Sequence, residues 1–244
     1  MIRLNRFLAA AGLGSRRKVE ELISSGEIKL NGETVTDLAT TLDPEKDVVE
    51  FRGKRVTAAK EYQYLVLNKP RGYIVSSSDE LGRQTIYELL PDFARSFRYA
   101  GRLDKNSEGL LLITNDTGTI NRLTHPTFKV EKVYKVDVSS KLSKSQLEAL
   151  RQGVEIEGGK TRPAGVFVKA ETEGSMTLKM VISEGRKRQI RLMLEAVGAK
   201  VRNLKRLQFG PLKLKDLPSG RWRFLTDGEL KALKVTMDKG YKKQ

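Results

Sequence analysis

Hydrophobic spacing at the start of the chain predicts a small helical module followed by a hairpin. Apolar residues at i, i+3, i+4 and i+7 mark one face of a first helix that ends at Gly12: Leu4, Phe7, Leu8 and Ala11. Ser15 suits the N-cap of a second helix, with buried positions expected at Val19, Leu22 and Ile23. Two short runs then flank Asn31-Gly32, a strong hairpin signal. We therefore expect a helix–helix–hairpin module over residues 1–60.

The pattern changes after a charged stretch, Arg52–Glu61, which we interpret as a linker. β-branched or apolar runs bounded by turn residues predict strands at Tyr64–Leu67, Gly109–Ile113, Val133–Val138 and Met176–Ile182. Helical spacing predicts helices within Leu147–Arg151 and Arg188–Val197. Strands interrupted irregularly by helices indicate an α+β domain with a mixed or antiparallel sheet. This domain is expected to span residues 61–244, with a basic tail at about 237–244.

Charge is distributed unevenly along the 244 residues. The chain has 46 Lys plus Arg against 30 Asp plus Glu, a net charge of +16, and residues 185–244 alone contribute 17 basic and 5 acidic residues. Because a concentrated basic patch attracts phosphates and releases their counterions, we favour a nucleic acid partner over a solvated surface. A membrane partner is disfavoured, since no long basic helix has a wide apolar face. With no apolar run of 18 residues and no signal-peptide pattern, we expect a cytoplasmic protein, a monomer by default.

Composition excludes several kinds of chemistry. The chain has no cysteine and a single histidine, His125, so a Cys-ligated zinc, a thiol nucleophile and a multi-His metal site are excluded. Gly159-Lys160-Thr161 resembles the end of a phosphate-binding loop, but Val154 occupies the position of its first glycine. No Rossmann-type glycine motif follows a predicted strand. We expect neither metal nor cofactor, and we expect His125, which precedes a proline, to form a turn.

The most distinctive segment is the run 101–116, in which Asp104 lies in a Gly- and Asn-rich loop directly before a buried strand. The end of a rigid strand can hold a reactive side chain in place. On composition alone, however, a solvated or turn-forming loop carboxylate is the preferred reading of Asp104.

These residues belong to an ordered set of motifs that resembles the bacterial ribosomal RNA pseudouridine synthases of the RsuA family. The run 101–116 resembles the family's signature loop and strand, and residues 1–60 resemble the S4-type RNA-binding module that precedes the catalytic domain. Three further segments resemble the domain's opening strand, tyrosine motif and basic motif: 67–72, 131–134 and 184–191. The segments 14–17, 123–126 and 209–212 favour the large-subunit subgroup, and the small-subunit reading stays open.

The resemblance implies a role for four residues. It assigns the essential aspartate to Asp104, the active-site tyrosine to Tyr134, the basic partner of the aspartate to Arg191 and an apolar residue near the target base to Leu204. We expect the Arg191 guanidinium to lie within about 4–6 Å of the Asp104 carboxylate and to bind it bidentately. Without the resemblance, Tyr134 is read as a core tyrosine and Arg191 as a phosphate-binding arginine.

The resemblance also implies isomerisation of uridine to pseudouridine in ribosomal RNA, with 23S favoured and 16S possible, by base flipping and without a cofactor. Arg102 is the candidate to fill the gap left by the flipped nucleotide, and one more phosphate contact is the alternative. The expected RNA-binding residues, for several of which ordinary surface charge is the alternative, are Arg6, Arg16, Arg17, Asn68, Lys69, Arg71, Arg102, Arg186, Lys187, Arg188, Leu204, Lys205 and Arg206.

Two other classes of function stay open at this point. A non-catalytic RNA-binding or ribosome-assembly protein could use the same basic groove, and in that case Asp104 has no chemical role. An RNA methyltransferase requires a cofactor site, for which the sequence gives no motif.

Overall fold

The N-terminal module has its own small core in the computed structural model, which describes residues 1–57, 62–77 and 79–239. Its eight elements are β1 (Ile2–Arg3), α1 (Leu4–Ala10), α2 (Arg16–Ser24), β2 (Ile28–Leu30), β3 (Glu33–Val35), β4 (Thr41–Leu42), β5 (Val49–Phe51) and β6 (Lys54–Val56). Ser15 caps α2 by accepting a hydrogen bond from the Lys18 amide at 3.3 Å. Asn31 and Gly32 both have positive φ, as a tight hairpin turn requires. The predicted helices and hairpin are therefore present.

The stretch predicted as a linker is partly structured. β6 pairs with β5 and completes a four-stranded sheet in the order β3-β2-β5-β6, with Arg52 and Gly53 at positive φ in the turn. Apolar side chains of α1 and α2, among them the buried Leu8 and Ile23, form one core with side chains of this sheet such as Ile28 of β2. The linker interpretation is therefore wrong for residues 52–57, whose charged side chains project from an exposed hairpin; residues 58–61 lie outside the described part.

The rest of the chain forms one large mixed sheet with helices. Its elements are β7 (Tyr64–Lys69), β8 (Arg98–Tyr99), β9 (Glu108–Thr114), α3 (Thr117–Thr124), β10 (Lys132–Val138), α4 (Lys144–Gln152), β11 (Glu155–Ile156), β12 (Gly159–Lys160), β13 (Gly165–Thr172), β14 (Ser175–Ile182), α5 (Gln189–Ala196), β15 (Val201–Phe209), β16 (Leu212–Lys213), β17 (Trp222–Phe224) and α6 (Asp227–Lys239). The strand order is β13-β14-β10-β15-β9-β7-β17, with β16 and β8 paired at the side. β15 and β9 pair in parallel, whereas β10 is antiparallel to both of its neighbours. The predicted α+β class with a mixed sheet is confirmed.

Contacts divide the chain into two compact units. One comprises Met1–Gln63 with Asn115–Thr117, and the other comprises the remaining residues from Tyr64 onward. The boundary at residues 60 and 61 stays a prediction, because residues 58–61 are not described. None of the helices in the described ranges has the length and apolarity needed to cross a membrane.

Two cores cover the large sheet. The front core contains Tyr134, Leu178 and Leu204 of the sheet together with Leu147 of α4 and Leu194 of α5. The back core lies behind β7 and β9 and is closed by the side chains of α3 and α6. We call the sheet face that bears the front core the front face.

Gly109 allows β9 and β15 to approach closely. It has a φ of 107°, and a Cβ at this position would collide with the Arg206 carbonyl oxygen and lie 2.7 Å from the Arg206 amide nitrogen. We expect Gly109→Ala to lower the free energy of unfolding by about 2–4 kcal/mol, because either the backbone strain persists or the parallel pair separates. Thermal unfolding would measure this, with Gly174→Ala as a control, since a Cβ at Gly174 meets nothing within 4 Å. Equal melting temperatures of the two variants would contradict the expectation.

Candidate active site

A cavity with a volume of 720 Å³ opens at the front face of the sheet. Its floor is formed by strands β10, β14 and β15, and its walls by the loop 101–107, the end of α3 and the loop 183–188. Side chains that line it include Asp104, Tyr134 and Leu204, three of the four residues to which the sequence resemblance assigns a role. This volume is typical of a pocket for a small organic ligand or a single nucleotide.

The loop 101–107 presents Asp104 to the cavity because its neighbours anchor it. The Leu103 side chain is buried in the front core, and the Ser107 amide donates to the Asp104 carbonyl oxygen at 3.0 Å, which closes a tight turn. The Asp104 side chain is half-buried, and Arg102 beside it is exposed at the cavity wall. A strand end thus holds a partly desolvated carboxylate beside open space.

Lys69 stabilises this loop through hydrogen bonds from its buried ammonium group. Its side chain is 0% exposed, and its Nζ donates to the carbonyl oxygens of Ser107 at 2.8 Å, Pro70 at 2.9 Å, Asp104 at 3.2 Å and Lys105 at 3.4 Å. Burial lowers the pKa of Lys69 to about 8, while the nearby carboxylates of Asp104 and Glu108 oppose the shift. The predicted RNA contact of Lys69 is therefore wrong, because its ammonium group is enclosed by backbone carbonyls.

Asn68, the residue before Lys69, is also buried, at 2% exposure. Its Nδ2 donates to the Leu217 carbonyl oxygen at 2.7 Å, which ties β7 to the segment before β17. A predicted RNA-binding role for Asn68 is wrong for the same reason: β7 is covered on both faces along its whole length.

Arg191 reaches the same loop from α5, but it contacts the backbone. Its Nη2 donates to the Asn106 carbonyl oxygen at 2.9 Å, and no ion pair within 4.0 Å joins it to Asp104 among the described residues. Burial lowers the pKa of Arg191, as do the charges of Arg188 and Arg71, whereas the Asp104 carboxylate raises it. The expected bidentate clamp is thus wrong, because the guanidinium binds the loop backbone and acts on the carboxylate through its field.

Cationic side chains also lie at the cavity floor. Tyr134 is buried and directly opposite Arg206 in the pairing of β10 with β15. Arg206 is 2% exposed, donates from Nε to the Leu110 carbonyl oxygen at 2.7 Å and lies 5.0 Å from the Phe209 ring centre. Because Arg206 is enclosed, only a group that enters the cavity can reach it, and its predicted RNA-binding role stays a prediction.

Lys132 lies two positions before Tyr134 and also lines the cavity. Its Nζ donates to the Val130 carbonyl oxygen at 2.7 Å. Burial and, to a smaller extent, the charge of the neighbouring Arg206 lower the pKa of Lys132 to about 8, and the Glu184 carboxylate opposes this shift. Sequence reasoning gave no role to Lys132, although the period-two spacing from Tyr134 places both residues on one strand face.

Three buried polar atoms at this site have no hydrogen-bond partner among the described residues: Ser107 Oγ, Arg191 Nε and Arg206 Nη2. Buried polar groups are nearly always satisfied in folded proteins, so a cluster of unsatisfied ones near a cavity is typical of a ligand site. Ser107 was not identified from the sequence, because nothing in the loop composition separates it from a surface serine.

The basic residues of the loop 183–188 differ in how strongly they are bound to the rest of the protein. Arg186 donates to the carbonyl oxygens of Gly158, Gly159 and Lys160 at 3.2, 2.6 and 2.8 Å, so it secures a neighbouring hairpin and is not a free cation as expected. By contrast, Lys187 and Arg188 are exposed at the cavity rim. The predicted RNA contacts at the rim are therefore best placed on these two residues.

Arg71 follows β7 and is exposed. Its guanidinium donates to a Glu108 carboxylate oxygen at 3.1 Å and to the Asn203 side-chain oxygen at 2.5 Å. An RNA phosphate would have to compete with these two hydrogen bonds or bind beside them, and the RNA role of Arg71 stays a prediction. In the N-terminal unit, Arg6, Arg16 and Arg17 are exposed on α1 and α2, and their RNA role stays a prediction.

His125 has the predicted turn role. Its Nδ1 accepts a hydrogen bond from the Thr127 amide at 3.3 Å and caps the short 3-10 helix Pro126–Phe128. The described residues contain no group of His, Cys, Asp and Glu arranged to hold a metal ion.

The fold and the cavity define an enzyme that presents the Asp104 carboxylate in a pocket lined mainly by basic side chains, preceded by a small accessory module. Residues 63–196 match the family described as RNA pseudouridylate synthase, and residues 2–49 match the S4 domain. The chain belongs to the RNA pseudouridylate synthase family.

Similar proteins agree with this assignment. The chain is 43% identical over 236 residues to an uncharacterised RNA pseudouridine synthase of Aquifex aeolicus (strain VF5), with 95% of this chain and 93% of the relative covered. It is 38% identical over 242 residues to the ribosomal large subunit pseudouridine synthase B of Bacillus subtilis (strain 168), with 98% of each covered. A crystal structure of a pseudouridylate synthase superimposes with a TM-score of 0.68 at 30% identity, over 96% of this chain and 100% of that one. The predicted family and its S4 module are confirmed.

Proposed function

We propose that this enzyme converts specific uridines to pseudouridine in ribosomal RNA, and that its substrate is the RNA of the large subunit. The Bacillus subtilis relative that covers 98% of both chains bears the name of a large-subunit enzyme, which supports this choice. The S4 match and the net charge of +16 support an RNA partner.

The observation that carries the proposal is the position of Asp104 in the cavity. The half-buried carboxylate faces the same space as Tyr134 and Leu204, and its loop is fixed by Lys69 from below and by Arg191 from the side. A base extruded from an RNA helix would enter this space, with the tyrosine ring available for stacking. The exposed Arg102, Lys187 and Arg188 would bind the flanking phosphates, and Arg102 would fill the gap in the helix.

The chemistry needs little more than a placed carboxylate. In the conversion, the N1–C1′ bond of uridine breaks and a C5–C1′ bond forms, C5 releases a proton and N1 takes one up, so that no atom is gained. The Asp104 carboxylate would act on the sugar as a nucleophile or as a base. The buried Arg206 Nη2 and the half-buried Lys132 ammonium group would stabilise negative charge on the detached uracil.

Release of tritium from C5 tests the proposal. Purified enzyme and ribosomal RNA transcripts labelled with tritium at uracil C5 should give tritiated water without an added cofactor, because C5 must lose its hydrogen. Large-subunit transcripts should release label at least tenfold faster than small-subunit transcripts. Release from the small-subunit RNA alone would reassign the substrate, and no release from either RNA, naked or in subunit precursors, would leave only an RNA-binding role.

A further inference from the structure

Three lysines form a row across neighbouring strands of the large sheet. In the strand register, Lys179 of β14 is directly opposite Lys135 of β10, and Lys135 is directly opposite Lys205 of β15. Because adjacent strands lie about 4.8 Å apart, the row places three positive charges within about 10 Å. We call these residues the lysine row.

The lysine row lies on the face opposite the cavity. Lys135 follows Tyr134, Lys179 follows Leu178 and Lys205 follows Leu204, and these three neighbours are buried in the front core. Since successive side chains of a strand point to opposite faces, the lysines project to the back of the sheet. There Lys135 is exposed and the other two are half-exposed, so the predicted RNA contact of Lys205 cannot occur inside the cavity.

The two acidic groups beside the row form their hydrogen bonds with other side chains, although the charge of Lys135 also acts on the Asp137 carboxylate. Glu108 is opposite Lys205 in the parallel pair, but its carboxylate forms an ion pair with Arg71 at 3.1 Å. Asp137, two positions after Lys135, accepts hydrogen bonds from Thr177 at 2.7 Å and from Asn203 at 3.0 Å. Within the described residues, no ion pair within 4.0 Å includes a lysine of the row. Like charges directly opposite each other destabilise a sheet, and this repulsion disappears when an anion binds.

An aromatic ring extends the row. Phe167 of β13 is opposite Lys179, its side chain is 52% exposed, and the Lys179 ammonium group lies 5.9 Å from the ring centre. Aromatic faces next to cations are characteristic of surfaces that bind single-stranded nucleic acid, where bases stack and phosphates meet the charges. The S4 match and the net charge of +16 favour RNA over a lipid surface or an acidic peptide as the occupant of this surface.

We propose that the lysine row and Phe167 form a second RNA-binding surface, which holds a ribose–phosphate segment of the substrate behind the sheet while the target uridine occupies the cavity. This inference rests on the proposed function, because it takes the substrate to be a structured RNA. Such an RNA is large enough to reach both faces of one sheet, and the second contact would increase affinity without touching the reacting base.

The test neutralises the row and measures binding and catalysis separately. The triple variant K135Q/K179Q/K205Q would be compared with K144Q/K231Q/K234Q, which removes the same charge from exposed helix positions. Each protein would be titrated at several salt concentrations with a long transcript and with a short hairpin that carries only the target site. Turnover would be measured at saturating RNA.

For the long transcript, the row variant should bind at least tenfold more weakly than the control triple, and its log–log salt slope should fall by about 2 to 3 because each lost phosphate contact removes about 0.7–0.9. Binding of the hairpin and kcat should be unchanged. K135Q alone should remove about one third of the slope change, and the melting temperature of the triple variant should not fall, since repulsion is relieved.

Other results would overturn the inference. If both triple variants lost the same affinity for the long transcript, the lysine row would contribute only general positive charge and not a specific binding surface. Unchanged RNA binding with lost binding to phosphatidylserine vesicles would assign the surface to a membrane. A failure of the proposed function is distinguishable, because the wild-type enzyme would then release no tritium from any ribosomal transcript.

Discussion

Asp104→Asn should reduce tritium release from ribosomal RNA by about 10⁴-fold or more while leaving RNA affinity within about twofold. The substitution is isosteric and removes the negative charge, so neither nucleophilic attack nor proton abstraction at the sugar remains available. RNA affinity should persist because it depends on the exposed cations, not on this carboxylate. Single-turnover tritium release and equilibrium binding to the same transcript would measure the two quantities.

Asp92→Asn provides the matched control for this variant. Asp92 is an exposed carboxylate in a short 3-10 helix, 2.9 Å from Arg95, so the same chemical change there should leave turnover unchanged. If Asp104→Asn retained more than about one tenth of the wild-type rate, Asp104 would not be the essential group. An equal loss in both variants would indicate a general effect of lowered negative charge.

Most of the fold was predictable where hydrophobicity and burial agree. The run Leu110–Ile113 is continuously apolar, and the corresponding strand β9 is buried on both faces at the centre of the sheet. Strand β15 was not predicted, although it lies beside β9 and carries half of the cavity floor. Its sequence is rich in basic residues, because Lys205 serves the exposed back face and Arg206 the cavity, and a register shift near Tyr134 interrupts its alternation.

The site was predictable only in part, because its residues were identified by motif resemblance and their contacts depend on tertiary packing. Composition alone left Asp104 as a loop carboxylate; the ordered motifs singled it out, and the structure places it at a cavity with Tyr134 and Leu204. The contact of Arg191 with the Asn106 carbonyl, 85 positions earlier in the chain, follows from tertiary packing that no local pattern encodes. The same holds for Lys69, since a lysine at the end of a strand is normally solvated.

Lys69→Met should lower the free energy of unfolding by about 3 kcal/mol and reduce turnover by at least a factor of ten. Methionine has a similar volume but donates no hydrogen bond, so three loop carbonyl oxygens and that of Pro70 lose the ammonium group that they share. The loop that presents Asp104 would then relax away from its present position. Lys144→Met, at an exposed helix position outside the cavity lining, should leave both stability and turnover near wild type.

The difference in free energy of unfolding between wild type and Lys69→Met should depend on pH, and this dependence tests the buried ammonium group more directly. The pKa of Lys69 is lowered to about 8 in the folded protein from 10.5, so between about pH 8 and 10.5 the unfolded chain binds more protons at this residue than the folded chain does. The contribution of Lys69 to stability therefore rises with pH across this window and falls as the pH drops through 8. Lys132 titrates in the same range, but it is present in both proteins and cancels in the comparison. Denaturant unfolding of wild type and Lys69→Met at pH 7 and pH 10 should show the destabilisation growing with pH. A constant difference would mean that the pKa of Lys69 is the same in the folded and unfolded protein, and a shrinking difference would mean that folding raises this pKa; either result would contradict the lowered value.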